Sequence, residues 1–254
     1  MIYFRRENKD FEWTDSVSFF YNMSKYTSLF FDLDHTLWDF EKNSIATLSI
    51  LFNEIDLPSK GIPDFDDFNI VYHEINEKLW SRFRKGFLSR EDLRWKRMFQ
   101  TLVHYKVHNE ALAIQMSERY LEILPAQTNI FPHCIELMEY CVAKGYDIHM
   151  ITNGFELTQQ LKLKNSLLEK YFKRMITSEQ AMSIKPEKEI FEYALRETNS
   201  DVKTSLMIGD ALDIDVLGAQ RVGMDQVYFN PKRIAHQEKP TFEIESLHEL
   251  FSII

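Results

Sequence analysis

Five short apolar segments, separated mostly by helical patterns, constrain the fold of this chain more than any other feature of its sequence. Each is the length of a buried strand, and polar or glycine residues follow most of them. The segments cover residues 27–31, 146–152, 174–177, 205–208 and 226–229. Helical patterns cover residues 132–143, 157–171, 187–197 and 214–222. Strands that alternate with helices predict an α/β fold, in which helices wrap a parallel sheet.

The stretch between the first two predicted strands is too long for an ordinary strand–helix connection. It holds no convincing strand, and its helical runs cover residues 44–55, 65–84 and 109–124, with another that begins at Ser89. We therefore predict an all-helical cap domain, inserted at residues 43–126, that acts as a lid. Residues 28–42 and 127–254 are then expected to form the α/β core.

The segment at residues 1–27 looks unlike the rest of the chain and is expected to be an N-terminal extension. Its apolar residues never form the core of a signal peptide. An upstream start codon, with Met23 as the true start, is the alternative, and the sequence leaves both open.

The charge of the chain limits its partners. The chain has 254 residues and a formal net charge of −9, so it lacks the basic surface that drives binding to nucleic-acid polymers. No apolar run approaches the ~18 residues of a membrane span, and no membrane partner is expected. Two cysteines, Cys134 and Cys141, indicate a reducing compartment, so we expect a cytoplasmic protein. A monomer or a small homo-oligomer fits the sequence equally well.

Asp32 and Asp34 directly follow the first apolar segment. Residues two apart on an extended segment point to the same side, so the two carboxylates repel each other. That cost is understandable if a cation lies between them or if one of them holds a proton. The alternative is a simple acidic turn in which Asp34 caps a helix. Thr36 and the preceding strand favour a functional site.

A second acidic cluster follows the fourth apolar segment. Gly209 and Asp210 end the strand, and Asp213 and Asp215 come soon after. Carboxylates at this spacing indicate Mg²⁺ binding through oxygen. A solvated loop before a helix is the alternative, and we expect Asp213 to be peripheral.

Two further strand-end and loop motifs could bind phosphate. Thr152 and Asn153 end the second strand before Gly154, and their hydroxyl and amide groups could donate hydrogen bonds to phosphate oxygens, as could a backbone N–H near the glycine. Lys185 could offer a positive charge to a phosphoryl group. An ordinary turn and an ordinary surface lysine are the alternatives. His35 should point away from the two aspartates, and we assign it no role.

Taken in order, these motifs resemble the haloacid dehalogenase superfamily of phosphohydrolases, with its Rossmann-like core. The pattern is D-x-D-x-T at Asp32, a strand-ending Thr152, a loop Lys185, and G-D-x-x-x-x-D from Gly209 to Asp215. The resemblance implies that Asp32 attacks phosphorus and forms an aspartyl-phosphate.

The same resemblance implies roles for the other motif residues. Asp34 would protonate the leaving oxygen and then activate water. Mg²⁺ would be held by the Asp32 carboxylate, the Asp34 backbone carbonyl and Asp210, with Asp215 orienting that shell. Thr152, Asn153 and Lys185 would bind the phosphoryl oxygens.

A narrower resemblance concerns the substrate. Residues 32–40 and 152–155, together with residues 76–80 and 85–86 of the lid, look like a bacterial house-cleaning pyrimidine 5′-nucleotidase branch. That branch implies a nucleoside monophosphate as the small phosphorylated partner. Trp38 and Phe155 could stack on a base or could simply pack. The alternatives are a sugar-phosphate or phosphoglycolate phosphatase, a 2-haloacid dehalogenase, or a non-catalytic binding protein.

Overall fold

The computed structural model describes residues 25–254, and the greater part of the predicted N-terminal extension lies outside them. The described residues form a six-stranded parallel sheet in the order β3-β2-β1-β4-β5-β6. The strands are β1 (Ser28–Phe31), β2 (Asp147–Thr152), β3 (Arg174–Thr177), β4 (Ser205–Gly209), β5 (Asp225–Phe229) and β6 (Phe242–Ile244). The predicted α/β fold with a helical cap is confirmed.

Helices connect the first five strands in the described part of the chain. Between β1 and β2 lie α1 (Phe40–Glu54), α2 (Phe65–Arg84), α3 (Arg90–His104), α4 (Glu110–Ile123) and α5 (Cys134–Ala143). Later come α6 (Glu156–Asn165), α7 (Ser178–Ala181), α8 (Lys188–Thr198) and α9 (Leu217–Arg221). Every helix within residues 25–254 is too short or too polar to cross a membrane.

Side-chain caps fix several helix starts in the segment between β1 and β2. Asp39 accepts a hydrogen bond from the Lys42 N–H, so α1 begins at Phe40, earlier than predicted. The hydroxyl of Ser89 accepts from the Asp92 N–H at 3.1 Å and starts α3 where the sequence placed it. Asn109 caps α4 in the same way. These caps satisfy backbone donors that the first helical turn leaves without partners.

Two predicted helices end differently in the structure. The pattern over residues 157–171 predicts one helix, but α6 stops at Asn165 because Leu167 adopts a positive φ of 59°. The pattern over residues 214–222 predicts one α-helix, but the structure has a π-helix at Leu212–Val216 followed by the short α9. Strand β6 was missed, because three residues carry too little periodicity to be recognised.

The central strand β1 places the ends of its neighbours at one edge. All four of its residues are buried, and Leu29 and Phe31 pack into one core cluster while Phe30 packs into the other. Phe31 pairs with Met150 of β2 and with Ile208 of β4. The chain therefore leaves β1, β2 and β4 at nearly the same level, which is where parallel α/β sheets bind ligands.

His149 is a buried polar side chain in β2. It is 2% exposed, and neither ring nitrogen has a hydrogen-bond partner within residues 25–254. Burial lowers the pKa of His149 from 6.5 to about 4. The folded state therefore takes up this proton less readily than the unfolded chain does. The contribution of His149 to the free energy of unfolding decreases as the pH falls from 6.5 to about 4.

We predict that His149→Leu removes much of this loss. The difference between pH 7 and pH 4 in the free energy of unfolding should shrink by roughly 1–3 kcal/mol, because the unfolded chain no longer gains a proton that the fold rejects. Urea titrations at a series of pH values measure it, with the exposed His108→Gln as control. If the free energy of unfolding of His149→Leu depended on pH as that of wild type does, the lowered pKa of His149 would not be a source of that dependence.

Candidate active site

Three carboxylates and one ammonium group meet at the carboxyl edge of the sheet. Asp32 follows β1, while Asp210 and Asp215 follow β4, and carboxylate oxygens of all three lie within 4.8 Å of one another. Lys185 reaches in from the loop before α8, and its Nζ lies 2.5 Å from Asp32 Oδ1 and 2.7 Å from Asp215 Oδ1. The structure thus brings four of the predicted site residues together.

Local interactions of the β4 loop explain this arrangement. A Cβ at Gly209 would lie 2.3 Å from Asp215 Oδ2, so only glycine lets Asp215 come this close to the strand end. The Ala211 N–H donates to the same oxygen at 3.1 Å. The hydroxyl of Thr36 donates to Asp210 Oδ1 and accepts from the Asp210 N–H, both at 3.1 Å. Thr36 therefore joins the first motif to the last.

The cluster holds an excess of buried negative charge. Burial raises the pKa of Asp32 above the usual aspartate range, and the repulsion of Asp215 and Asp34 opposes the lowering by Lys185. Burial and the Asp215 carboxylate likewise raise the pKa of Asp210. Burial alone would lower the pKa of Lys185. The negative charges of Asp215 and Asp32 outweigh this effect and raise the pKa above its ordinary value.

These residues fit a bound Mg²⁺ ion. Within residues 25–254, three crowded carboxylates share one ammonium group, so a divalent cation would compensate the negative charge in excess of that of Lys185. Oxygen ligands from a few carboxylates are also the set that Mg²⁺ prefers. The donor set and its electrostatics both match the predicted cofactor.

Thr152 and Asn153 lie at the same edge but differ in what their side chains can do. Thr152 Oγ1 accepts from the Gly154 N–H at 3.0 Å and from Gln159 Nε2 at 2.8 Å, which leaves its own hydrogen to donate. The Asn153 amide instead brackets the backbone of Lys185, donating to its carbonyl at 2.9 Å and accepting from its N–H at 2.8 Å. The Asn153 amide thus holds the Lys185 loop, and phosphate binding by its second N–H stays a prediction.

Asp34 contacts two α6 residues that the sequence analysis missed. Lys162 Nζ donates to Asp34 Oδ1 at 2.6 Å, and Gln159 Nε2 donates to Asp34 Oδ2 at 3.0 Å. Both side chains are almost fully buried. The available signal was their spacing, because residues 159 and 162 share the inward face of α6 with Leu163.

A cavity of about 320 Å³ opens above these groups. The carboxylates and Lys185 line this cavity together with Asp34 and Thr152, and residues between β1 and β2 supply much of the remaining lining. Those residues are Phe40, Asn76, Glu77, Trp80 and Arg84. Asp213, which is exposed, also borders the cavity.

The structure corrects the expectation for His35 and decides between the two alternatives for Trp38. His35 borders the cavity rather than facing away from it, because its φ of 65° interrupts the alternation of an extended strand. Trp38 is 0% exposed, and its indole N–H donates to the Ser166 hydroxyl at 3.1 Å, so it packs and offers no face to a base.

Comparison with known proteins agrees with this geometry. A protein-family model described as a hydrolase, haloacid dehalogenase-like hydrolase, matches residues 26–223. The crystal structure of the Bacillus subtilis protein YfnB, bound to magnesium, matches with a TM-score of 0.81 at 30% sequence identity. The match covers 90% of this chain and 98% of that one.

Relatives with assigned activities include two nucleotidases. Pyrimidine 5′-nucleotidase PynA of Streptococcus pneumoniae is 28% identical over 90% of this chain and 95% of its own. Pyrimidine 5′-nucleotidase YjjG of Escherichia coli is 29% identical over 91% and 98%. Glyceraldehyde 3-phosphate phosphatase of Pyrococcus abyssi is 30% identical over 89% and 92%.

Proposed function

Because the chain belongs to the haloacid dehalogenase-like hydrolase family, we propose that it is a Mg²⁺-dependent phosphomonoesterase that acts through an aspartyl-phosphate on Asp32. Its proposed substrates are pyrimidine nucleoside 5′-monophosphates. The observation that carries the proposal is the contact of Asp32 with Lys185 beside Asp210 and Asp215. We further propose that residues 43–126 form the lid and that residues 28–42 and 127–254 form the core.

In the first step an Asp32 carboxylate oxygen attacks phosphorus. The bond from phosphorus to the ester oxygen breaks as the new bond forms, and Asp34 gives its proton to the departing oxygen. Lys185 and the Thr152 hydroxyl face the same cavity and would stabilise charge on the phosphoryl oxygens. Asp32, the Asp34 carbonyl and Asp210 would hold Mg²⁺, Asp215 would orient these ligands, and the bound ion would neutralise phosphoryl charge.

In the second step the Asp34 carboxylate takes a proton from water. The water oxygen attacks phosphorus, the bond from phosphorus to Asp32 breaks, and inorganic phosphate leaves. Asp34 is then protonated and Asp32 is free again, so the residues return to their starting states.

The cavity supports the proposed substrate class. Trp80 and Phe155 lie with ring centroids 6.2 Å apart, and Trp80 lines the cavity. Asn76 is buried, and its Oδ1 accepts from Arg97 at 3.2 Å, so its NH₂ group is left to donate. An aromatic face for stacking and an amide donor for a ring carbonyl suit a pyrimidine base, which always carries a carbonyl beside its glycosidic nitrogen.

A sugar-phosphate phosphatase is the second candidate. The similarity to a glyceraldehyde 3-phosphate phosphatase favours it, as does the small cavity volume. The two candidates differ in what they require of Trp80. A nucleotide offers a base for stacking, whereas a three-carbon phosphate does not.

A substrate screen with and without Mg²⁺ tests the proposal. We expect phosphate release from UMP, dUMP and dTMP with a higher kcat/KM than from purine monophosphates, phosphoglycolate or glyceraldehyde 3-phosphate. Trp80→Ala should lower kcat/KM for UMP by roughly 10-fold, because one base–aromatic stack is lost. Phe87→Ala, at a residue 70% exposed, is the control.

The opposite ranking would refute the nucleotidase. Strong release from a sugar phosphate with none from UMP or dTMP would assign the second candidate. Activity that survives EDTA with a 2-haloacid as substrate would revive the dehalogenase.

A further inference from the structure

Lys162 is a buried lysine without a place in the chemistry described so far. It lies on α6 and is 2% exposed, and its Nζ donates to Asp34 Oδ1 at 2.6 Å. The same Nζ lies 4.4 Å from the ring centroid of Trp38 and 5.4 Å from that of Phe40. The ammonium group therefore lies between the rings of Trp38 and Phe40 and one carboxylate oxygen of Asp34.

Gln159 holds the other oxygen of the same carboxylate. Its Nε2 donates to Asp34 Oδ2 at 3.0 Å and to Thr152 Oγ1 at 2.8 Å. A Cβ at Gly154 would lie 2.5 Å from the Gln159 side chain, so the glycine of this turn makes room for it. Gln159 and Lys162, which are neighbours on one face of α6, thus contact both carboxylate oxygens of Asp34, and Gln159 also links Asp34 to Thr152 at the end of β2.

The cost of burying Lys162 argues for a function in catalysis. An ammonium group taken out of water is destabilising unless it is well paired. Among residues 25–254, one carboxylate is paired with it, and that carboxylate is itself 25% exposed. Replacing a buried ion pair with apolar side chains of similar size is often neutral or stabilising, so packing alone does not call for a lysine at this position. The aromatic rings reduce the cost without removing it.

We propose that Lys162 and Gln159 are positioning residues that fix the Asp34 carboxylate for proton transfer to the leaving oxygen. The inference rests on the proposed phosphatase function. Two of the four lone-pair sites of the carboxylate are used by these contacts, and Asp34 still borders the cavity. The remaining sites are available for the transferred proton.

The test is a series of aryl phosphates whose leaving phenols differ in acidity. A nitrophenolate leaves without help, whereas phenolate needs a proton from Asp34, so the two substrates separate positioning of the acid from general damage to the site. In Lys162→Met, kcat/KM for phenyl phosphate should fall by roughly 10- to 100-fold, the scale of a misplaced catalytic group. For 4-nitrophenyl phosphate the fall should stay below roughly 3-fold, because no proton is required in the step that kcat/KM reports.

Lys164→Met is the matched control, since Lys164 lies on the same helix and is exposed. Gln159→Leu, compared with the exposed Gln160→Leu, gives the second test and replaces the first if Lys162→Met does not fold. Thermal unfolding establishes folding for every variant. Both buried variants should show the leaving-group-dependent loss, and both controls should behave as wild type.

Several results would overturn the inference. Equal losses on the two aryl phosphates mean that Lys162 only supports the structure. Unchanged or higher activity on phenyl phosphate means that it does not position Asp34 for catalysis. If wild type cleaves aryl phosphates but no nucleotide, the proposed substrate fails while this inference is still decided. If wild type releases phosphate from neither aryl phosphates nor nucleotides nor sugar phosphates, both the proposed function and this inference fail.

Discussion

Asp32→Asn is expected to lower kcat by roughly 10⁴-fold or more, the scale on which an enzyme loses activity with its covalent nucleophile. An amide oxygen at this position is a poor nucleophile and cannot form the aspartyl-phosphate. The neighbouring Lys185 and Asp210 remain, so the substrate still meets the charged site. Steady-state assays with the best substrate of the screen, at saturating Mg²⁺, measure the loss.

The fold of Asp32→Asn should survive. Lys185 keeps its contact with Asp215 Oδ1 at 2.7 Å, and the amide has nearly the volume of the carboxylate. Burial and repulsion disfavour the ionised Asp32, so a neutral residue there removes an unfavourable interaction. We expect a melting temperature equal to or above that of wild type. Retained turnover in a folded Asp32→Asn would contradict covalent catalysis by this residue.

Removal of divalent metal is expected to abolish activity, and Mg²⁺ should restore it. The ion should also stabilise the fold, because its charge would offset the repulsion among three carboxylates that the native structure crowds together. At a concentration about 100 times its dissociation constant, Mg²⁺ would add about 2.7 kcal/mol to the free energy of unfolding. Thermal unfolding of EDTA-treated protein across a Mg²⁺ titration measures the shift.

Asp210→Asn should lose both the restored activity and the melting shift. Asp213→Asn is the matched control, since Asp213 follows the same strand but is exposed and lies outside the carboxylate cluster. It should keep the Mg²⁺-dependent shift. A shift of equal size in Asp210→Asn would show that Mg²⁺ binds elsewhere, and full activity in EDTA would rule out the metal requirement.

The core of the fold was predictable because its signals are local. Buried strands of four to six residues, each followed by a polar motif, identify the carboxyl edge of a parallel sheet. Asp32, Asp210, Asp215 and Lys185 meet there as predicted from their order along the chain. Strand β6 and the break in α6 were not predictable, because one is too short for periodicity and the other depends on a single left-handed residue, Leu167.

The finer details of the site depend on tertiary contacts that no local pattern records. Asn153 was identified only as a possible phosphate ligand, and the sequence did not indicate that its amide also holds the Lys185 backbone, 32 positions away. Trp38 was a candidate for base stacking, yet the core encloses it. Lys162 is one of two lysines on α6, and only the structure shows that it contacts Asp34. Side chains that hold other side chains are hard to recognise from sequence alone.

The most direct measurement for the central claim is the detection of phosphate on Asp32. Wild type and Asp34→Asn are mixed with Mg²⁺ and 4-nitrophenyl phosphate, quenched in acid, and analysed by intact and peptide mass spectrometry. Asp34→Asn should accumulate one phosphoryl group on Asp32, because the acidic leaving group permits the first step while the base for the second is missing. A protein that turns over the substrate while Asp32 stays unmodified in both forms, or that carries the phosphoryl group on another residue, would contradict the account.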